Sequence, residues 1–138
     1  MSEAQTEQIG LITPDFTQSP DLVASGIYKV RIKEVKYKPE AWTTRDGIKV
    51  TKLTWTLETF GEEEEKNNGR YIFHGTDING PFARGLQIFY KAVMQEDLNP
   101  GQGFDPQMLY GRELEVTVGP QKKEPQYTEV KAVRPITH

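Results

Sequence analysis

Apolar side chains recur at every second position over residues 26–38, and midway they change sides. Tyr28, Val30 and Ile32 share one parity, then Val35 and Tyr37 take the other. Alternation marks a half-buried strand, and a parity switch inside it calls for a bulge or a sharp coil. Pro39 ends the run, so 38–47 reads as a loop, closed by the turn signal Asp46-Gly47. A second strand covers 48–60, with Leu53, Trp55 and Leu57 on one face and Lys52, Thr54, Thr56 and Glu58 on the other. The acidic tip 61–69 leads into a third strand over 70–78. Asn79-Gly80-Pro81 then opens a helix that runs to about residue 97, with Pro81 suited to its first position. Phe82, Leu86, Phe89, Tyr90 and Val93 recur at helical spacing and are expected to form its core face. After a break at 98–103 and a short turn from Asp105-Pro106 to Gly111, a fourth strand covers 112–118 and a fifth 127–135. The hairpin 119–126 joins them.

The order β-β-β-α-β-β predicts an all-β fold with one helix, specifically a five-stranded barrel of the OB type. In that fold two loops and the sheet face between them grip single-stranded nucleic acid. The domain is expected over 26–138. Residues 1–25 lack sustained periodicity and read as a flexible acidic leader, with Ile9, Leu11, Ile12 and Phe16 able to dock as a short extended piece.

Composition narrows the function. The 138 residues carry 36% hydrophobic and 27% charged side chains, enough for one small core. There is no cysteine, which removes disulfides, thiolate metal sites and a cysteine nucleophile together. No secretory signal and no apolar run of about 20 residues is present, so a soluble, cytoplasmic protein is expected, in the host cell if phage-encoded, with no membrane partner. The net charge of −3 is unevenly placed: −4 over residues 1–25, +4 over 26–60, −3 over 61–69 and zero thereafter. Because salt screens beyond about 8–10 Å, the local +4 is what a phosphate backbone would meet. Lysines on an exposed strand face also serve solubility alone.

Catalytic chemistry finds little to work with. The histidines are His74 and His138, and the three serines, Ser2, Ser19 and Ser25, all lie in the leader, outside any nucleophile elbow. His74 and Asp77 fall short of the three protein ligands of a catalytic zinc site. Four consecutive glutamates lack the ligand spacing of a calcium loop. Gly101-Gln102-Gly103 matches no phosphate loop or dinucleotide fingerprint. No enzyme activity, cofactor or metal is expected.

Binding chemistry finds more. Single-strand binders combine cations that track phosphates with aromatic faces on which bases stack. Trp42, beside Arg45 in the first loop, either stacks on bases or folds back to cap one end of the barrel. Trp55 reads as core. Tyr71 and Phe73 share one face of the third strand, and they are a stacking pair if Ile72 points inward and core if it does not. Arg31, Lys33, Arg45, Lys49 and Lys52 are the candidate phosphate contacts, with Lys122 and Lys123 on the second hairpin tip completing a clamp. The alternative is a small β-barrel module for protein partners or structure, with the lysines scattered over several faces.

Ser25-Gly26-Ile27-Tyr28-Lys29-Val30-Arg31-Ile32 resembles the G-x-Y-x-V-x-I opening of a family of small phage-encoded single-stranded DNA-binding proteins. Gly69-Arg70-Tyr71-Ile72-Phe73 is similar to that family's G-R-x-I-F strand, and the run from Leu109 to Val116 with Tyr127 to Val130 to its L-x-G-r-e-v-x-V hairpin. The resemblance spans about residues 25–135. It implies an OB-fold, sequence-nonspecific binding of single-stranded DNA, or of RNA, in phage replication or recombination, and replication or recombination proteins as partners. Exposed sheet edges would let copies pair into a homo-oligomer. Residues 134–138 do not carry the acidic, phenylalanine-ended tail of bacterial single-strand binders.

Overall fold

The mid-strand parity switch is a bulge, and it organises the sheet. The computed structural model describes residues 23–136. Strand β1 (Gly26–Thr43) pairs antiparallel with β2 (Lys49–Phe60), and the register steps from Ile32 opposite Leu57 to Glu34 opposite Thr56. One extra residue, Lys33, therefore sits on β1. At this point β1 leaves β4 (Glu113–Pro120): Ile32 N–H donates to Arg112 O, Gly111 N–H donates to Ile32 O, and Val35 N–H donates to the Tyr110 hydroxyl. These bonds satisfy backbone groups that the bulge would otherwise leave unpaired.

Strand β3 (Tyr71–Asp77) flanks β2, and β5 (Thr128–Arg134) flanks β4, giving one antiparallel sheet in the order β3-β2-β1-β4-β5. Helix α1 (Arg84–Met94) covers one face. The expected closed barrel is not formed, because no ladder joins the edges β3 and β5. The edges touch each other and both touch α1, whose buried side chains Leu86, Phe89, Tyr90, Ala92 and Val93 fill the opening.

The core lies between α1 and this face. Val30, Ile32, Leu53, Trp55, Leu57, Leu114, Val116 and Val118 come from the sheet, as the alternation predicted, and Ile72, whose side the alternation left open, joins them. The Trp55 and Phe89 rings pack with centroids 4.7 Å apart, and buried Trp55 Nε1 donates to Thr76 Oγ1 at 2.9 Å. A buried indole N–H needs such an acceptor.

The end of β1 and both ends of the helix differ from expectation, the helix stopping at Met94 rather than near residue 97. The stretch read as a loop from residue 38 continues as strand to Thr43, with Trp42 opposite Val50. Pro39 is tolerated because it falls within a second register irregularity, between Lys38 and Trp42, where Glu40 adopts a φ of 51°. The helix begins at Arg84 rather than Pro81, so Phe82 belongs to the preceding turn and is 68% exposed instead of core. That turn is tied to β2: Asn79 Oδ1 accepts from Thr51 N–H, and Asn79 Nδ2 donates to Lys49 O. Residues 1–22, most of the acidic leader, lie outside the described residues. No helix among the described residues is long and apolar enough to cross a membrane.

Candidate nucleic-acid interface

The bulge that keeps the core side of β1 apolar also gathers its cations. Before the bulge the odd positions face away from the core, and after it the even positions do. Lys29, Arg31 and Lys33 are thereby joined on one outer face by Lys36 and Lys38, which would point inward without the extra residue. Cross-strand partners share a face. The register therefore adds Lys52, Thr54, Thr56, Glu58 and Phe60 from β2, and Tyr71, Phe73, Gly75 and Asp77 from β3.

Ile72 is 6% exposed, so it points into the core and leaves Tyr71 and Phe73 on the outer face. Phe73 is 58% exposed there. One residue pair further along, the Lys52 stem lies over Gly75, whose missing side chain makes room for it: a Cβ at Gly75 would stand 3.3 Å from Lys52 Cδ. Beyond Gly75 lies a small apolar outcrop on the same face. Trp42 Nε1 donates to Asp77 Oδ2 at 3.1 Å, and the Trp42 ring packs on Phe82 with centroids 5.9 Å apart. Val50 lies fully buried beneath them. Gly80 sits so tightly against Val50 that a Cβ would come within 2.8 Å of Cγ2, with φ at +83°. Trp42 thus packs at the end of this face against Phe82, which presents the exposed ring.

The charges on this face divide into two sets. Near the bulge three cations are paired with carboxylates, while Lys29, opposite Glu115, makes no ion pair among the described residues. Lys33 Nζ lies 3.6 Å from Glu58 Oε2, Arg31 Nη2 lies 3.4 Å from Glu113 Oε2, and Arg134 pairs with Glu115. The Tyr71 hydroxyl, followed by Glu58, raises the pKa of Lys33. Further along the hairpin, Lys36, Lys38 and Lys52 have no carboxylate partner among the described residues. Lys52 stands between Lys38 on β1 and Asp77 on β3, so it faces one like and one opposite charge across the sheet.

The candidate residues thus separate. Arg31, Lys33, Lys52, Tyr71 and Phe73 share the outer face, with Trp42 at its end. Lys49 does not: it has the parity of Leu53 and pairs with Glu40 at 3.4 Å. Arg45 lies in the turn that closes the β1–β2 hairpin, at the far end of β1. Lys122 and Lys123 lie beyond Pro120, on the tip next to the start of β1, since Gly26 pairs with Val118. The two tips therefore flank opposite ends of β1, and the register does not bring them together as a clamp. Lys36, Lys38 and Phe82 escaped the sequence reading. The parity switch is the signal that places both lysines on the outer face.

On the other side of the hairpin a cavity of about 630 Å³ opens between β1, α1 and the 98–106 loop, its lining including Tyr37, Leu53, Arg84, Leu86, Leu98 and Phe104. His74 faces the core, its ring centroid 5.5 Å from that of Phe89, and burial lowers its pKa from 6.5 to about 4. Among the described residues no cluster of three or more His, Asp or Glu is placed to hold a metal ion. Comparison with protein-family models and with curated proteins finds no match to this chain.

Proposed function

We propose that the outer face of β1, β2 and β3 binds single-stranded nucleic acid without sequence preference. The observation that carries the reading is the run of unpartnered cations, Lys36, Lys38 and Lys52, set beside exposed Phe73 and the Trp42–Phe82 pair on one face. Lys38 lies opposite Lys52, and an anionic ligand bridging the two would be favoured by both charges. Bases stack on Phe73 and Phe82, each contributing about 1–3 kcal/mol, while the lysines hold phosphates. Same-face positions along a strand advance about 6.6–6.8 Å, so from Phe73 to the Asp77 end of β3 is a span of roughly 13 Å, room for successive bases of an extended strand.

The element order and the contact between the sheet edges support an OB-type fold whose closure is left to α1. The family resemblance supports single-stranded DNA as the ligand and phage replication or recombination as the setting. RNA offers the same phosphates and ring faces.

A second reading, a module for protein partners that ignores nucleic acid, draws on the apolar cavity under Tyr37. Fluorescence anisotropy of labelled single-stranded and duplex DNA of about 30 nucleotides, at two salt concentrations, separates the two. Salt-weakened binding of the single strand in preference to the duplex supports the first. No binding of either at low salt leaves the second.

A further inference from the structure

We infer that the half of this face nearest the bulge is self-capped in the free protein, with Glu58 and Glu113 standing in for phosphates that a single strand must displace. The inference rests on the nucleic-acid reading and concerns how that same site is regulated. One arrangement occurs twice. The Lys33 ammonium lies over the Tyr71 ring, 5.6 Å from its centroid, and Glu58 holds it there. The Arg31 guanidinium lies over the Phe60 ring, 4.7 Å from its centroid, and Glu113 holds it there. Glu58 and Glu113 are also the two cross-strand neighbours of Arg31, one on each side.

In each case the cation covers an aromatic face on which a base would otherwise stack. The carboxylates are the fixed partners: the side chains of Glu58 and Glu113 are 25% and 31% exposed, against 48% for Lys33 and 44% for Arg31. Lysine and arginine stems are long and mobile, so it is the cations that move. An arriving strand exchanges carboxylate for phosphate on each cation, and the same movement bares Tyr71 or Phe60 for a base. Carboxylate and phosphate oxygens make the same kind of charge-assisted hydrogen bond. The exchange is therefore close to balanced, and it releases few counterions. The unpartnered lysines at 36, 38 and 52 hold the strand first, and the capped half opens only against its own carboxylates. The acidic side chains act as a brake on affinity built into the binding surface.

The test uses the full chain and a labelled oligothymidylate of about 30 nucleotides, titrated between about 50 and 200 mM salt. Glu58→Gln and Glu113→Gln should each tighten binding about 2- to 5-fold at low salt, the scale of one exposed ion pair. The double variant should steepen the slope of log affinity against log salt by roughly 1.4, or about 0.7 per freed cation. A double-mutant cycle identifies the route. In a Lys33→Gln background the gain from Glu58→Gln should largely vanish, because the cation it would free is gone. Equal gains in both backgrounds would mean simple repulsion of phosphate and would overturn the inference, as would an unchanged double variant that melts like the wild type. If the wild type binds no oligonucleotide, the underlying reading falls with it; if it binds and the double variant does not differ, only the brake is lost.

Discussion

His74 projects from the core face of β3 onto Phe89, and its burial there makes the fold sensitive to acid. A folded-state pKa of about 4 against an ordinary 6.5 means that the folded chain binds fewer protons than the unfolded chain between those values. Stability from this residue is therefore intact above about pH 6.5 and falls as the pH drops, by about 1.4 kcal/mol per unit, levelling off below about pH 4. At about pH 4.5 the loss should be roughly 2.5 kcal/mol, a large part of the 5–15 kcal/mol typical of a domain. Carboxylates also titrate in this range, so the informative quantity is a difference between proteins. His74→Leu keeps an apolar side chain against Phe89 and removes the titration. Urea unfolding followed by tryptophan fluorescence, at about pH 7 and about pH 4.5, should show the wild type losing about 2 kcal/mol more than the variant. Equal losses would show that His74 is solvated or charged in the folded protein, and the reasoning would fail.

Other consequences follow from the same contacts. Replacing Lys36 and Lys38 by Gln should flatten the salt dependence of single-strand affinity by about 1.4 in slope, read from anisotropy titrations, without lowering the melting temperature. Thr76→Val strands the buried Trp55 N–H and should cost about 1–3 kcal/mol in urea unfolding. Gly80→Ala forces a Cβ against Val50 at positive φ, and should destabilise by about 1–3 kcal/mol and make the Trp42 fluorescence more solvent-exposed.

The alternation of apolar residues was enough to place all five strands, the helix and most of the core, because core-facing positions in a one-sided sheet are tightly constrained. Barrel closure was not legible. It depends on whether two edge backbones meet, and here the side chains of α1 occupy the gap. Phe82 misled because helical spacing continues one turn beyond the helix: its ring goes to Trp42 on the opposite side of the sheet. The candidate face was half legible. Tyr71 and Phe73 could be paired from sequence, and only the burial of Ile72 decided which way they point. Lys36 and Lys38 were hidden by the bulge, which changes the face of every residue after it. The pairing of Arg31 and Lys33 with carboxylates of other strands depends on register across the sheet, which one sequence read alone does not fix. Lys122 and Lys123 were joined to Arg45 by analogy with a closed barrel, and the observed register sets them at the other end of β1.

The central claim is that one face of the sheet takes up a single strand, and backbone amide shifts in a two-dimensional NMR titration with an unlabelled oligothymidylate test it most directly. The account predicts salt-sensitive shifts concentrated at Lys33, Lys36 and Lys38 of β1, Lys52 to Glu58 of β2, Tyr71 to Asp77 of β3, and Phe82. A spectrum unmoved at low salt, or shifts confined to the cavity under Tyr37 or to the Lys122–Lys123 tip, would contradict it.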